Sequence, residues 1–246
     1  MAIRKLKSDD NLIHISSLDE SFLFDEASSQ ATKIVVEDGA CLNYVFFFNS
    51  FADKEVNYQR EVFVGAGARV KTFLVWLGRA NGNLKFISQL SDKASIEHRS
   101  LYFLLDHQNL KIIEEHNFVG PKSFGRFYSN GLLAGQSQVD CNCEINILQK
   151  AQDSDSRIDL KLYLLSPQAK GTILPSLKIA ANRVRAGHGA TTASFGPEDL
   201  FYLRSRGLGE DQAKSLLVQS AARLFANQIP DKELGKRVLD AIIERL

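Results

Sequence analysis

Up to residue 196, β-branched and aromatic residues come in short bursts separated by polar or glycine-containing breaks, as they do in β-strands. The clearest run covers 157–165, where Ile158, Leu160 and Leu162 alternate with charged residues. Such alternation is typical of a strand with one buried face. We predict further strands over 33–36, 42–48, 62–64, 70–77, 84–87, 100–105 and 110–113.

This part of the sequence lacks any stretch with the length and 3.6-residue period of a crossover helix, so a parallel sheet of βαβ units is not expected. A faint repeat is present instead. Ala40, Ala68 and Ala94 each follow a turn and precede an apolar residue two positions on, at spacings of 28 and 26 residues. This period fits the rungs of a β-solenoid. A β-sandwich would also give many short strands and is the alternative.

The pattern becomes helical near residue 197. We predict a first helix from Pro197 to a left-handed cap at Gly207, a second from Gly209, and a third after the break at 229–231. The predicted apolar face of the second helix consists of Ala213, Leu216, Leu217, Ser220, Leu224 and Phe225, and that of the third of Leu234, Val238, Leu239, Ile242, Ile243 and Leu246. The predicted domains are a short segment 1–29, a core 30–196 and a helical subdomain 197–246.

The composition indicates a cytoplasmic protein. The formal net charge is +1 over 246 residues, so neither nucleic acid nor an anionic membrane is an expected partner. The longest apolar run, 44–48, is too short to cross a bilayer, and the first residues do not form an apolar signal region. Three cysteines, Cys41, Cys141 and Cys143, do not indicate a disulfide framework.

Catalytic motifs are missing from the sequence. The segment 64–67 contains a G-x-G but no third glycine, and it is interpreted as a turn. The sequence has no Walker lysine motif, no G-x-S-x-G and no H-E-x-x-H. We therefore do not expect the chain to be an enzyme.

Two groups of residues could contact a metal or cluster. Cys141 and Cys143 are two positions apart, so in a strand both thiols point to one face and could reach one metal; burial in a β core is the alternative. His188 lies between Gly187 and Gly189, where another chain could approach the backbone closely; a histidine in a turn is the alternative. We place His98, His107 and His116 at strand edges or in loops and assign them no role.

A short segment near the start of the helical region combines aromatic and cationic residues, which are enriched in protein-binding surfaces. Docking of its apolar residues on the core, with solvated arginines, is the alternative. A helix–turn–helix DNA-binding unit lacks support because no basic recognition face stands out. The candidate residues for partner binding are Phe201, Tyr202, Leu203, Arg204, Arg206 and Gly207.

The segments 175–179, 184–191 and 200–208 resemble, in this order, the end of the core and the helical tail of the SufB/SufD family of the SUF iron–sulfur cluster assembly system. The resemblance covers roughly residues 157–225. It implies a mainly β fold, with a right-handed parallel β-helix core and a C-terminal α-helical subdomain. It also implies a non-catalytic scaffold without an intrinsic cofactor, pairing edge to edge with a SufB-like subunit and binding a SufC-like ABC ATPase through the helices.

By the same resemblance, His188 corresponds to a histidine presented toward the SufB-like subunit, where iron or an iron–sulfur cluster would be held transiently. Gly189, where SufB-like members tend to carry glutamate, and the lack of cysteine in 166–180 favour the SufD branch. Ala186 replaces a cysteine that some SufD members have. A β-helix carbohydrate-active enzyme and a homodimeric interaction module are the alternative functions.

Overall fold

The computed structural model describes residues 3–16, 18–50, 54–194 and 205–245. Within these residues the chain forms fifteen strands and two helices, α1 (Glu210–Ala226) and α2 (Lys232–Ile243). The strands are β1 (Ile3–Lys5), β2 (Leu12–Ile15), β3 (Glu20–Asp25), β4 (Ala31–Val36), β5 (Cys41–Phe48), β6 (Val56–Val64), β7 (Arg69–Trp76), β8 (Gly82–Leu90), β9 (Ser95–Leu104), β10 (Asn109–Phe118), β11 (Phe124–Leu133), β12 (Gln138–Ile147), β13 (Asp155–Leu164), β14 (Lys170–Ile179) and β15 (Arg185–Ser194).

The strands alternate between two parallel sheets. The odd-numbered strands form one sheet, the odd sheet, and the even-numbered strands form the other, the even sheet. Each strand therefore pairs with the strand two places further along the chain, and the backbone coils as a parallel β-solenoid. The predicted mainly β solenoid is confirmed, and a sandwich of antiparallel sheets is excluded. Strands β1–β3, which lie in the predicted segment 1–29, continue both sheets at the N-terminal end.

The three repeated alanines occupy the same position, directly after a turn, in successive rungs of the solenoid. All three are fully buried. The amide of Arg69 donates to the carbonyl of Ala40 at 2.9 Å, and that of Ser95 donates to Ala68 at 2.9 Å. The residue before each alanine has a positive φ: 71° at Gly39, 66° at Gly67 and 56° at Lys93. A left-handed residue closes the turn tightly, and only a small side chain fits behind it. The repeat in the sequence is thus the rung repeat.

Strand β5 is buried at all eight positions, unlike strands with one buried face. Its inward residues fill the solenoid core, and its outward residues lie beneath the two helices. Phe73 of β7, on the same outer face, meets Phe225 of α1 edge to face, with ring centroids 6.2 Å apart. The helices thus cover an aromatic outer face of the odd sheet, which explains why alternation fails there.

The second and third predicted helices are confirmed as α1 and α2. Asp231 caps α2, because its carboxylate accepts the backbone N–H of Leu234 at 2.8 Å. Most of the first predicted helix lies outside the described residues, although Gly207 has the expected positive φ of 87°. None of the described helices is long and apolar enough to cross a membrane.

The predicted apolar face of α1 is wrong in part. Leu216 and Leu224 are 46% and 71% exposed, whereas Val218 and Ala222 are buried. The small side chain of Ala222 lets the helix approach the aromatic outer face closely, which turns the larger leucines outward. Ile243 of α2 is likewise 37% exposed.

Candidate functional site

The C-terminal end of the solenoid presents two edge strands. Within the described residues, β14 pairs only with β12 and β15 only with β13. The unpaired N–H and C=O groups of an edge strand are a template for pairing with another chain. Leu174 and Ile179 of β14 are 56% and 44% exposed. We call β14 and β15 the terminal edge.

His188 lies in the middle of β15 and not in a turn, so the alternative of a turn histidine is wrong. It is in register with Ile158 of β13, in a column that continues through Phe127 to His98. These three residues are fully buried in the core. His188 therefore occupies an inward-facing column, but it is exposed because no further rung in the described structure covers it.

Ion pairs, each of one basic and one acidic side chain, lie at the terminal edge. Arg157 donates to both carboxylate oxygens of Asp159 at 2.7 and 2.8 Å. Lys178 lies 2.9 Å from Glu144. These pairs are exposed, and each contributes little to stability. The two strands themselves carry three exposed cations, Lys170, Lys178 and Arg185, and no acidic residue, so the edge is weakly basic.

The candidate partner-binding residues of the helical region are only partly visible. Phe201, Tyr202, Leu203 and Arg204 lie outside the described residues, whereas Arg206 and Gly207 are exposed. The exposed Leu216 and Leu224 of α1 are two turns apart on one helix face. Together they give this helix an outward apolar stripe, although both leucines belong to its predicted apolar face.

Cys141 and Cys143 lie on β12, and both side chains face the solenoid interior, as their spacing predicted. Cys141 is fully buried, and the exposed fraction of Cys143 is 1%. Cys143 is in register with Glu114 of the neighbouring strand β10. Glu114 and His116 are also two positions apart and share the inward face. The ligand atoms of Glu114, His116 and Cys143 all lie within 4.8 Å of one another.

His98 completes this group from the facing odd sheet, and we call His98, Glu114, His116 and Cys143 the interior cluster. Nε2 of His98 lies 3.3 Å from one carboxylate oxygen of Glu114, and Nε2 of His116 lies 4.0 Å from the other. The prediction that His98 and His116 lie at strand edges or in loops is wrong: both are fully buried within strands. His107 alone of the three lies in a turn.

Both imidazole rings are held in place. Nδ1 of His98 lies 2.7 Å from the hydroxyl of Thr72, and Nδ1 of His116 lies 2.9 Å from the hydroxyl of Ser88. The His98 ring stacks on Phe86 and the His116 ring on Phe127, with centroids 4.3 and 3.6 Å apart. Their Nε2 atoms are therefore aimed toward Glu114 by contacts on the opposite side of each ring.

The surroundings decide which members of the interior cluster carry charge. Burial opposes ionisation of Glu114, but His98 outweighs this and holds the pKa of the carboxyl below its usual value. Burial, with the nearby His98, lowers the pKa of His116 well below its usual value. Burial and the Glu114 charge raise the pKa of the Cys143 thiol well above its usual value. At neutral pH, Glu114 is thus ionised, whereas His116 and Cys143 are neutral.

The sequence held a signal for these residues that the predicted strand missed. Leu110, Ile112, Glu114, His116 and Phe118 alternate strictly with outward residues. The predicted strand ended at 113, which left Glu114 and His116 outside it. Extending the alternation to 118 would have placed both on the buried face.

A second buried polar group lies near the N-terminal end, and we call Asp25, Tyr44 and Arg60 the Arg60 cluster. Arg60 Nε donates to Asp25 at 2.7 Å, and the Tyr44 hydroxyl donates to the same carboxylate at 2.8 Å. The remaining guanidinium nitrogens donate to backbone carbonyls of Ser29, Gln30 and Gln59. All charged atoms of this cluster thus have hydrogen-bond partners.

Comparison with protein families matches residues 12–221 to the family described as SUF system FeS cluster assembly, SufBD core domain. An iron–sulfur cluster assembly SufBD family protein of Mycobacterium leprae is 29% identical over 229 residues, which are 87% of this chain and 57% of that protein. SufD of Escherichia coli is 32% identical over 115 residues, 47% of this chain and 27% of that protein. SufD of Bacillus subtilis is 27% identical over 126 residues, 51% of this chain and 29% of that protein. The matched region thus spans 57% or less of the length of these relatives.

Proposed function

The chain belongs to the SufBD core domain family of SUF system FeS cluster assembly, and from this premise we propose that it is a non-catalytic scaffold subunit of the SUF complex. In this proposal the terminal edge pairs with a SufB-like subunit, and the helical region binds a SufC-like ABC ATPase. Iron or a nascent cluster is cargo at the interface with the SufB-like subunit. The similarity to SufD proteins supports the assignment to the SufD branch.

The observation that carries the proposal is the terminal edge, which no described strand covers, with its inward-facing histidine. Two adjacent edge strands offer backbone hydrogen bonds to a partner, and Leu174 and Ile179 offer apolar contact. A second solenoid stacked on this end would enclose His188 in a shared core column. An imidazole in that position could bind iron through a free ring nitrogen.

Pairing is tested by placing lysines on the terminal edge. We expect the double variant Leu174→Lys/Ile179→Lys to lose co-purification with a SufB-like subunit, because charged side chains on an edge strand oppose strand pairing. The matched control is Leu12→Lys/Leu18→Lys at the other end of the solenoid, where both leucines are also exposed. Equal pairing by the two variants would contradict the proposed interface. Self-association of the chain alone, lost in the first variant only, would favour the homodimeric module instead.

The role of His188 is tested with the assembled complex. We expect His188→Ala to leave the subunits paired but to lower the amount of cluster that forms on the complex, measured by its visible absorption and iron content. His107→Ala, an exposed histidine in a turn, is the control. Unchanged cluster formation with His188→Ala would remove this residue from the cargo site.

ATPase binding is better tested by point variants than by deletion of 197–246. Deletion would expose the aromatic outer face that α1 and α2 cover, so a loss of binding could reflect misfolding. We expect Leu216→Arg/Leu224→Arg to weaken binding of a SufC-like ATPase in a pull-down, since both leucines are exposed. The control is Leu12→Arg, at an exposed leucine that is distant from α1 in the sequence. Undiminished binding would contradict a role for this face of α1.

A further inference from the structure

The interior cluster has polar atoms that the rest of the core does not satisfy. Nε2 of His98, Nε2 of His116 and both carboxylate oxygens of Glu114 are buried without a hydrogen-bond partner among the described residues. Buried polar groups nearly always have partners, and an unpaired one costs about 1–3 kcal/mol. His98 and Glu114 lie 3.3 Å apart and can interact with each other, but Nε2 of His116 and the second carboxylate oxygen, 4.0 Å apart, are left to another ligand.

The geometry suits a single metal ion. Glu114 and His116 share one strand face, and Cys143 lies beside Glu114 on the next strand of the even sheet. Their ligand atoms lie within 4.8 Å of one another. A tetrahedral ion with bonds of about 2.0–2.3 Å needs ligand atoms about 3.3–3.8 Å apart. The ligand atoms must therefore draw closer together on binding, and Nε2 of His98, 3.3 Å from Glu114, is the candidate for a fourth ligand.

The two histidines are oriented as metal ligands usually are. A ligating imidazole normally donates its second ring N–H to a neighbouring group, which fixes both the tautomer and the ring plane. The Thr72 and Ser88 hydroxyls can accept these protons from Nδ1 of His98 and His116. In that tautomer, both Nε2 lone pairs face Glu114 and are available to an ion.

Charge balance favours a divalent ion in this dry core. A carboxylate from Glu114 and a thiolate from Cys143 supply two negative charges, and two neutral imidazoles supply none. A divalent cation would make the four-ligand site neutral, so that no net charge is buried. The mixture of nitrogen, oxygen and sulfur donors suits an ion of borderline softness, such as Zn²⁺ or Fe²⁺, and disfavours Mg²⁺ or Ca²⁺.

We propose that the interior cluster is a binding site for one divalent transition-metal ion of the Zn²⁺ and Fe²⁺ class, with His98, Glu114, His116 and Cys143 as ligands. Binding replaces the proton on the Cys143 sulfur and any proton on Nε2 of His98, and these protons are released to solvent. The site is enclosed between the two sheets, so loading accompanies folding. The site lies in the solenoid interior and does not depend on the terminal edge. The metal site and the proposed function can therefore be tested independently.

The test uses Co²⁺ as a spectroscopic probe and Zn²⁺ as its competitor. The full chain is unfolded, refolded with one equivalent of Co²⁺, and freed of loosely bound ions by gel filtration. We expect about one Co²⁺ per chain, a thiolate-to-cobalt charge-transfer band, intense visible bands of a tetrahedral ion, and displacement by Zn²⁺. Absence of retained Co²⁺ and Zn²⁺ from correctly folded protein would overturn the proposal.

Variants identify the ligands. We expect Cys143→Ser to abolish the charge-transfer band and to weaken binding by more than about 100-fold, because losing a ligand costs more than losing an outer-shell partner. Cys141→Ser is the matched control, since Cys141 is equally buried on the same strand face, and it should keep the band. His116→Gln, whose amide nearly fills the ring's space, should weaken binding while the circular dichroism spectrum stays unchanged. A charge-transfer band that persists in Cys143→Ser would contradict the proposed ligand set.

Discussion

The solenoid core contains two buried polar clusters that differ in how completely their atoms are paired. In the Arg60 cluster, Asp25 accepts from Arg60, the Tyr44 hydroxyl and the backbone N–H of Ser28, and the guanidinium donates to three carbonyls. In the interior cluster, four atoms of His98, Glu114 and His116 lack partners among the described residues. The two clusters are equally buried.

The difference separates a structural cluster from a candidate binding site. A buried ion pair is tolerated when additional hydrogen bonds satisfy its remaining atoms, and the Arg60 cluster meets this condition. A partly satisfied cluster is worse than an apolar core, unless a ligand completes it. We therefore expect the Arg60 cluster to respond to mutation as a scaffold element and the interior cluster to respond to metal.

The largest expected effect belongs to the Arg60 cluster. Arg60→Met would leave the Asp25 carboxylate buried without its cation, so we expect the free energy of unfolding to fall by about 3–5 kcal/mol. Chemical denaturation followed by circular dichroism measures this loss, with or without metal. Lys71→Met, which removes an exposed cation, should change stability by less than about 0.5 kcal/mol. A loss below about 1 kcal/mol in Arg60→Met would show that the pair is not structural.

The next effect distinguishes the interior cluster. Zn²⁺ at about 100 times its Kd should raise the free energy of unfolding of the native sequence by about 2.7 kcal/mol, because the ion binds only the folded chain. We expect no such gain in Cys143→Ser and an undiminished gain in Cys141→Ser. Denaturation curves with and without Zn²⁺ provide the measurement. An equal gain in all three proteins would assign the stabilisation to another site.

A smaller effect is expected at the hydroxyl groups behind the histidines. Ser88→Ala removes the group that orients His116, so Zn²⁺ affinity should fall by about 10–100-fold. Ser123→Ala is the control, because Ser123 is also buried and its hydroxyl donates to the carbonyl of Gly120 at 2.9 Å. Both variants should lose about 1 kcal/mol of metal-free stability. If competition titrations give the same affinity for both, Ser88 does not support the site.

The smallest effect concerns an ion triad on the surface, which serves as a baseline for both clusters. Glu26 contacts Lys5 of β1 and Arg237 of α2. Partial burial opposes ionisation, but these two cations outweigh it and lower the pKa of Glu26. Because its folded pKa is depressed, Glu26 stabilises the fold above its unfolded pKa, and this contribution is lost as pH falls through the folded value.

We expect Glu26→Gln to cost less than about 1 kcal/mol near neutral pH, since the triad is partly exposed and screened by solvent. The difference from the native sequence should vanish as pH falls through the lowered pKa of Glu26 and should shrink in high salt. Unfolding curves at several pH values measure it. A difference that stays constant across this range would mean that packing of α2, and not the charge, is responsible.

The sequence contained enough information for the architecture. Ala40, Ala68 and Ala94 gave the rung period because each must fit behind a tight turn, and the break at Pro230 and Asp231 set the start of α2. The buried face of α1 was less predictable. Leu216 and Leu224 match an apolar helical stripe, but close approach to an aromatic sheet favours the face with smaller residues.

The interior cluster could not be derived from local patterns. His98 and Glu114 come from opposite sheets, and Cys143 reaches Glu114 only through the register of β10 and β12. One-residue changes in that register would turn these side chains outward. The sequence offered the cysteine spacing and the alternation through Glu114 and His116, but the meeting of these residues with His98 required the three-dimensional coil.

X-ray absorption at the zinc K-edge, on the full chain refolded with one equivalent of Zn²⁺, tests the central distinction most directly. We expect a four-coordinate ion with one sulfur at about 2.3 Å and nitrogen or oxygen neighbours at about 2.0–2.1 Å. In Cys143→Ser, the sulfur contribution should be absent. A six-coordinate shell of oxygen and nitrogen without sulfur in the native sequence would contradict a metal site in the interior cluster.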